Sequence, residues 1–259
     1  MFRLSVCADP ILSERPFVER VKEIAKAGFF VEFWRWPPHE RDLDVLADDP
    51  DVKISTFTGN IAGSMVHPDG VSEYLEGVLR SVDVAHKLNC REVMILTGEL
   101  GPNGEAIHAK ASHPATMWIT AYKTLCQVAE IAEKEDFVYN LEVLNTVLDH
   151  PGYALPTPED CVRLISEVGS PRIKMLLDIY HTQMGQGNLI DTIRQYRDYL
   201  GYIHVADVPG RHEPGTGEIN YSKVAQALRG VGYDGTIGLE CWPEGDVHKA
   251  MEVFREAFS

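Results

Sequence analysis

Met175-Leu176-Leu177-Asp178-Ile179-Tyr180-His181 is a short apolar run that ends in an acid and passes directly into a helix-compatible segment. A run of that length, bounded by polar residues, reads as a strand buried on both faces, and the acid then sits at the strand's C-terminal end. Working outward, the same unit of strand, loop and helix recurs. The strand candidates are Arg3 to Ala8, Phe29 to Trp34, Val52 to Phe57, Glu92 to Thr97, Phe137 to Val143, Ile173 to Ile179, Tyr202 to Asp207 and Thr236 to Cys241. Helical stretches follow them. Phe17 to Ala27 carries Phe17, Val21, Ile24 and Ala25 on one stripe, and Val71 to Leu88 continues a 3.6-residue period through Tyr74, Leu75, Val78, Val82 and Ala85. Punctuation agrees: Thr157-Pro158-Glu159-Asp160 is an N-cap, a first-turn proline and two acids suited to the helix dipole, and that helix closes at Gly169. The stretch from Tyr221 to Val231 closes at Gly230 and Gly232 in the same way. Eight such units in 259 residues predict an α/β chain folded as one single-domain (β/α)₈ barrel over residues 1–259. An open doubly wound sheet would carry a glycine-rich phosphate turn after its first strand, where this chain has Cys7-Ala8-Asp9-Pro10. The longest loop, Gly98 to Pro114, follows the fourth strand at the expected active-site end and is a candidate lid.

Charge and composition exclude several functions. With 24 Lys and Arg against 39 Asp and Glu, the net charge of −15 opposes a phosphate backbone, so no nucleic-acid partner is expected. No apolar run reaches the roughly 18 to 20 residues of a membrane span. Arg3 is followed by Ser5, Cys7 and Asp9 rather than by a sustained apolar stretch, so the chain reads as cytoplasmic. Cys7, Cys90, Cys126, Cys161 and Cys241 are odd in number and widely spaced, which fits reduced, mostly buried thiols. A homo-oligomer is expected only from the base rate among soluble enzymes.

In a barrel of this kind, polar residues at strand C-termini are the ones placed to do chemistry. Four stand out on the last four strands: Glu142, Asp178, His204 and Glu240, at separations of 36, 26 and 36 residues, each about one strand–helix unit. Neighbouring strands then deliver three carboxylates and one imidazole to one point at the mouth. Uncompensated carboxylates so placed repel, and a divalent cation is the simple way to stabilise them. Oxygen-rich ligation with one histidine suits Mn²⁺ or Mg²⁺, with Co²⁺ and Zn²⁺ as further candidates. A second set, His181, Arg211 and Glu213, could hold an oxyanion or polyol substrate. Trp34 and Trp242, together with Phe33, Trp36 and Phe57, fall near strand ends where aromatic rings could wall a pocket against water.

Asp178-Ile179-Tyr180-His181 and Ala206-Asp207-Val208-Pro209-Gly210-Arg211-His212-Glu213-Pro214-Gly215-Thr216-Gly217-Glu218-Ile219-Asn220-Tyr221 resemble signatures of the hydroxypyruvate isomerase group, within the xylose isomerase-like barrels that also include ketose 3-epimerases, inosose-processing enzymes and endonuclease IV. The resemblance runs along essentially the whole chain. It implies that Glu142, Asp178, His204 and Glu240 bind the metal, that Glu142 and Glu240 form the acid/base pair, and that His181 and Arg211 contact substrate. His204 is a departure, since some hydroxypyruvate isomerases have glutamine there and epimerase relatives have histidine. The acidic charge and the absence of further histidine ligands set the chain apart from endonuclease IV. The chemistry so implied is a 1,2-proton transfer through an enediolate on a small hydroxy-carbonyl compound, hydroxypyruvate giving tartronate semialdehyde. The alternatives are a ketose 3-epimerase or an inosose or oxo-sugar-acid isomerase and, from another class, a non-catalytic barrel that binds a metabolite.

Overall fold

The computed structural model describes residues 1–107 and 112–259. Eight parallel strands form one sheet: β1 (Arg3–Cys7), β2 (Phe30–Phe33), β3 (Ile54–Phe57), β4 (Glu92–Ile95), β5 (Val138–Glu142), β6 (Ile173–Asp178), β7 (Leu200–Val205) and β8 (Thr236–Leu239). Their order is β3-β2-β1-β8-β7-β6-β5-β4, so sequence neighbours are spatial neighbours and the last strand pairs with the first. The remaining seam, between β3 and β4, closes through a parallel bridge from Thr58 to Met94, where the Gly59 N–H reaches the Met94 carbonyl at 2.7 Å. Gly59 has to be glycine for that approach, because a Cβ there would lie 2.5 Å from Val93 Cγ1. The predicted barrel is therefore the observed one, with β3 ending at its sequence-based limit, Phe57, and the other seven strands ending one or two residues before theirs, where side chains leave the ladder for the site.

Helices α1 (Phe17–Lys26), α2 (Leu43–Ala47), α3 (Val71–Lys87), α4 (Pro114–Glu135), α5 (Pro158–Val168), α6 (Ile179–Gly185), α7 (Leu189–Gln195), α8 (Tyr221–Gly230) and α9 (Val247–Phe258) alternate with the strands. The α5 signals act as read: Thr157 Oγ1 accepts the Asp160 N–H at 3.1 Å, and Gly169 closes the helix at φ +71° with its N–H on the Ile165 carbonyl. On α3, Tyr74, Val78, Val82 and Ala85 are buried, as their period requires. The main core lies between these helix faces and the outward strand residues. Successive strand residues point to opposite faces, so Asn140 and Glu142, Leu176 and Asp178, Tyr202 and His204, and Gly238 and Glu240 share the barrel interior. Met94, Leu176 and Tyr202 accordingly make a separate buried cluster, with Trp34 packed on it. All five cysteines are free, and only Cys126 is not fully buried. No helix among the described residues is long and apolar enough to cross a membrane.

Candidate active site

Glu142 and Asp178 are the last residues of β5 and β6, His204 is the penultimate residue of β7, and Glu240 directly follows β8. Register aligns them: Asp178 pairs with His204, His204 with Gly238, and the Glu240 N–H still donates to the Val205 carbonyl at 3.1 Å beyond the end of the strand. One ligating atom from each of the four residues lies within 4.8 Å of the others, and all four residues are buried. His204 Nδ1 is 3.1 Å from Glu142 Oε1 and 3.7 Å from Glu240 Oε2. Trp34 Nε1–H and the Arg211 guanidinium donate to different oxygens of Glu240, and Arg211 is 3.8 Å from Asp178 Oδ2. Asp178 Oδ1 accepts the His181 N–H at 2.9 Å, which caps α6.

Arg211 reaches this point because of its loop. Asp207 gathers the Val208, Gly215 and Ile219 N–H groups at 2.9, 2.8 and 3.0 Å, which ties both ends of the glycine- and proline-rich motif together. Gly210 at φ +91° and Arg211 at φ +56° then turn the guanidinium inward, between the Tyr180 and Trp242 rings at 5.1 and 5.2 Å. A non-glycine residue in the left-handed region costs of order 1 kcal/mol, here offset by the two carboxylates it meets.

The surroundings push the carboxyl groups apart. Burial raises Glu142, and it raises Asp178 to about 7 against the lowering pull of Arg211. Burial also acts upward on Glu240, but Arg211, His204 and the Trp34 hydrogen bond outweigh it and leave that carboxyl below its ordinary value. For His204, burial works against the charged form, yet Glu32, Glu240 and Glu142 prevail and raise it well above an ordinary histidine. His181 goes the other way, lowered by burial and by Arg211, and its Nδ1 meets the Asn145 amide at 2.7 Å. Three carboxylates and an imidazole converging in a buried site form a donor set suited to one hard or borderline divalent cation, which they could hold without a thiolate.

Above the cluster opens a cavity of about 770 Å³. Of the residues expected at the site, Glu142, Glu240, Trp34, Trp242 and Arg211 line it, whereas Asp178, His204 and His181 lie behind its wall. Glu213 is not among the lining residues; its Oε2 accepts the Glu244 N–H at 3.0 Å on the outer side of the loop. Phe33 and Phe57 stack on each other in the core at 5.5 Å, and Trp36 is buried with its indole N–H on Ser81 Oγ at 2.8 Å, so these three pack rather than wall the pocket. Residues 98–104 and Ile107 of the long loop overhang the cavity, while residues 108–111 of the expected lid lie outside the described residues.

Two acids escaped sequence reasoning. Glu32, inside β2, is 1% exposed and faces His204 across the barrel; the signal was an acid in an otherwise apolar strand. Asp9, two residues past β1, lines the cavity and accepts the Trp34 N–H at 2.7 Å. Burial pushes Asp9 up to about 6, only partly countered by that hydrogen bond and by Arg20. A carboxyl raised on folding favours the folded state fully below its unfolded value near 4 and loses that contribution as pH rises through about 6. Asp9→Asn keeps the acceptor for Trp34, so in metal-stripped protein it should gain about 3 kcal/mol at pH 8 and almost nothing at pH 3.5. Denaturant unfolding at both pH values checks this, and an equal gain at both would refute it.

Residues 19–257 match the model of the xylose isomerase-like TIM barrel family, and the chain belongs to that family. Within it, the chain is 30% identical over 257 residues to the hydroxypyruvate isomerase of Escherichia coli strain K12, covering 94% of this chain and 95% of that one. It is 29% identical over 251 residues to the 2-oxo-tetronate isomerase of Pectobacterium atrosepticum, covering 93% and 92%. A crystal structure described as an AP endonuclease, family 2, from Brucella melitensis superposes with a TM-score of 0.89 at 26% identity, over 99% of each chain.

Proposed function

We propose that the protein is a divalent-metal-dependent isomerase of a small hydroxy-carbonyl acid, interconverting hydroxypyruvate and tartronate semialdehyde. The observation that carries this reading is that, of the four clustered groups, only the two glutamates border the cavity. Asp178 and His204 stand behind them, as ligands do, while Glu142 and Glu240 face bound substrate, as a proton-transferring pair must. A cation held by Glu142, Asp178, His204 and Glu240, with Mn²⁺ or Mg²⁺ preferred by the oxygen-rich set, supplies a Lewis acid for charge developing on the substrate's carbonyl oxygen.

The chain's own residues do the rest. Glu240, paired with Arg211, takes a proton from C3 of hydroxypyruvate, and Glu142, the other glutamate at the cavity wall, delivers one to C2. The C3 hydroxyl proton passes to the C2 oxygen, so the product keeps every atom of the substrate. Arg211, between two aromatic rings at the cavity wall, is placed to meet the substrate carboxylate, and Trp34 and Trp242 exclude water from the reacting carbons. His181, neutral behind Asp178, acts on substrate only through the placement of that acid and the α6 N-terminus. The family relatives named for hydroxypyruvate and 2-oxo-tetronate support an acid substrate.

NMR in D₂O of Mn²⁺-reconstituted protein, diluted to catalytic amounts, with hydroxypyruvate, 2-oxo-tetronate, fructose, ribulose and an inosose tests the reading. Deuterium entering hydroxypyruvate with tartronate semialdehyde appearing is the expected result. Exchange confined to C3 of a ketose would make the protein an epimerase, and no exchange with any substrate would favour a binding-only barrel.

A further inference from the structure

Beneath the candidate site the barrel holds a charge that the proposed reaction does not use. Glu32 is 1% exposed, and its Oε2 accepts the Tyr202 hydroxyl. That hydroxyl meets Ser55 Oγ at 2.9 Å, and Ser55 Oγ meets Ser5 Oγ at 2.7 Å, so four residues from β2, β7, β3 and β1 are joined across the barrel interior. Space for the carboxylate comes from Gly238 on β8, where a Cβ would fall 2.4 and 2.5 Å from its two oxygens. A buried carboxylate is costly unless something answers it. Its other oxygen, Oε1, has no hydrogen-bond partner, and neither has His204 Nε2, yet the two lie 3.1 Å apart. They are at ion-pair distance but off the axis of a hydrogen bond.

The opposite ring nitrogen of His204 faces the cluster, 3.1 Å from Glu142 Oε1 and 3.7 Å from Glu240 Oε2. An imidazole that gives one nitrogen's lone pair to a cation must carry its proton on the other, and a carboxylate on that second nitrogen selects the tautomer and the ring orientation. We infer that Glu32 is a positioning residue that holds the Nε2 proton of His204 and thereby presents Nδ1 to the cation site. The inference rests on the proposed reading of Glu142, Asp178, His204 and Glu240 as a cation site. It assigns Tyr202, Ser55 and Ser5 a role as well, since the Tyr202 hydroxyl holds Oε2 and leaves Oε1 for His204, while Ser55, backed by Ser5, holds that hydroxyl. Gly238, the register partner of His204, is required for the same contact.

The test compares full-length wild type with Glu32→Gln and Glu32→Met, all stripped and titrated with Mn²⁺ against a competing chelator, without substrate. Glu32→Met is expected to weaken Mn²⁺ binding by about 10–100-fold, and Glu32→Gln, which keeps a neutral acceptor, by less. Long-range ¹H–¹⁵N NMR of the Zn²⁺-loaded proteins should show the His204 proton on Nε2 in wild type and a shifted or exchanging Nε2 signal in the variants. A role in packing alone would lower the melting temperature of the stripped variants while leaving both readouts at their wild-type values. Should Glu32→Met not fold, Glu32→Gln decides the matter alone. Wild-type affinity and tautomer in the folded variants would overturn the inference and leave the cation site standing. A wild type that binds no Mn²⁺ would overturn both.

Discussion

Glu240→Gln is expected to lower deuterium exchange into hydroxypyruvate by about 10³ to 10⁴-fold while substrate binding remains measurable. Positioned proton transfer contributes roughly 10² to 10⁴-fold, and an amide of the same shape cannot take the proton. Part of the loss could come from a weaker cation site, so exchange is compared at metal concentrations that bring variant and wild type to equal occupancy. The substitution also takes one charged partner from Arg211, whose guanidinium donates to Glu240 and retains Asp178 at 3.8 Å. Substrate affinity is therefore expected to change by less than exchange does. Isothermal titration gives the affinity and NMR the exchange. Exchange within tenfold of wild type at matched occupancy would remove Glu240 from the proton path.

Asp178→Ala is expected to reduce bound metal from about one ion per chain to a small fraction after dialysis. The residue has two jobs, which different substitutions separate. Its Oδ1 caps α6 through the His181 N–H, a contact worth about 1 kcal/mol, and its Oδ2 side faces the cluster. Asparagine can keep the cap but not the negative charge, so Asp178→Asn should lose metal almost as fully while retaining more stability than Asp178→Ala. Elemental analysis and thermal melts of the stripped proteins read the two effects independently. Wild-type metal stoichiometry in both variants would count against Asp178 as a ligand.

The fold was legible because its signals are local. Apolar runs of strand length, helical stripes such as Tyr74, Val78 and Val82, and the Thr157 cap each lie within a few residues of what they specify. Glu142, Asp178, His204 and Glu240 were legible for a related reason, since a spacing of one strand–helix unit carries a residue to the equivalent place on the next strand. Asp9 and Glu32 were not: each is a single acid at the edge of or inside an apolar strand, a signal that does not tell what the acid meets.

By itself, then, the sequence determined the eight-unit barrel and the convergence of three carboxylates and a histidine at its mouth, because period and spacing are properties of the chain. Only the tertiary structure decided which way each side chain faces. His181 lies behind Asp178, Glu213 turns to the Glu244 N–H, Phe33 and Phe57 stack in the core, and Glu32 meets a histidine 172 positions further along the chain. For the strand residues the physical reason is register. The pairing slips between Val31 and Glu32 on one side of the barrel and between Met175 and Leu176 on the other, and with a side-chain period of two, such a slip changes which residues meet across strands without any mark in the local pattern.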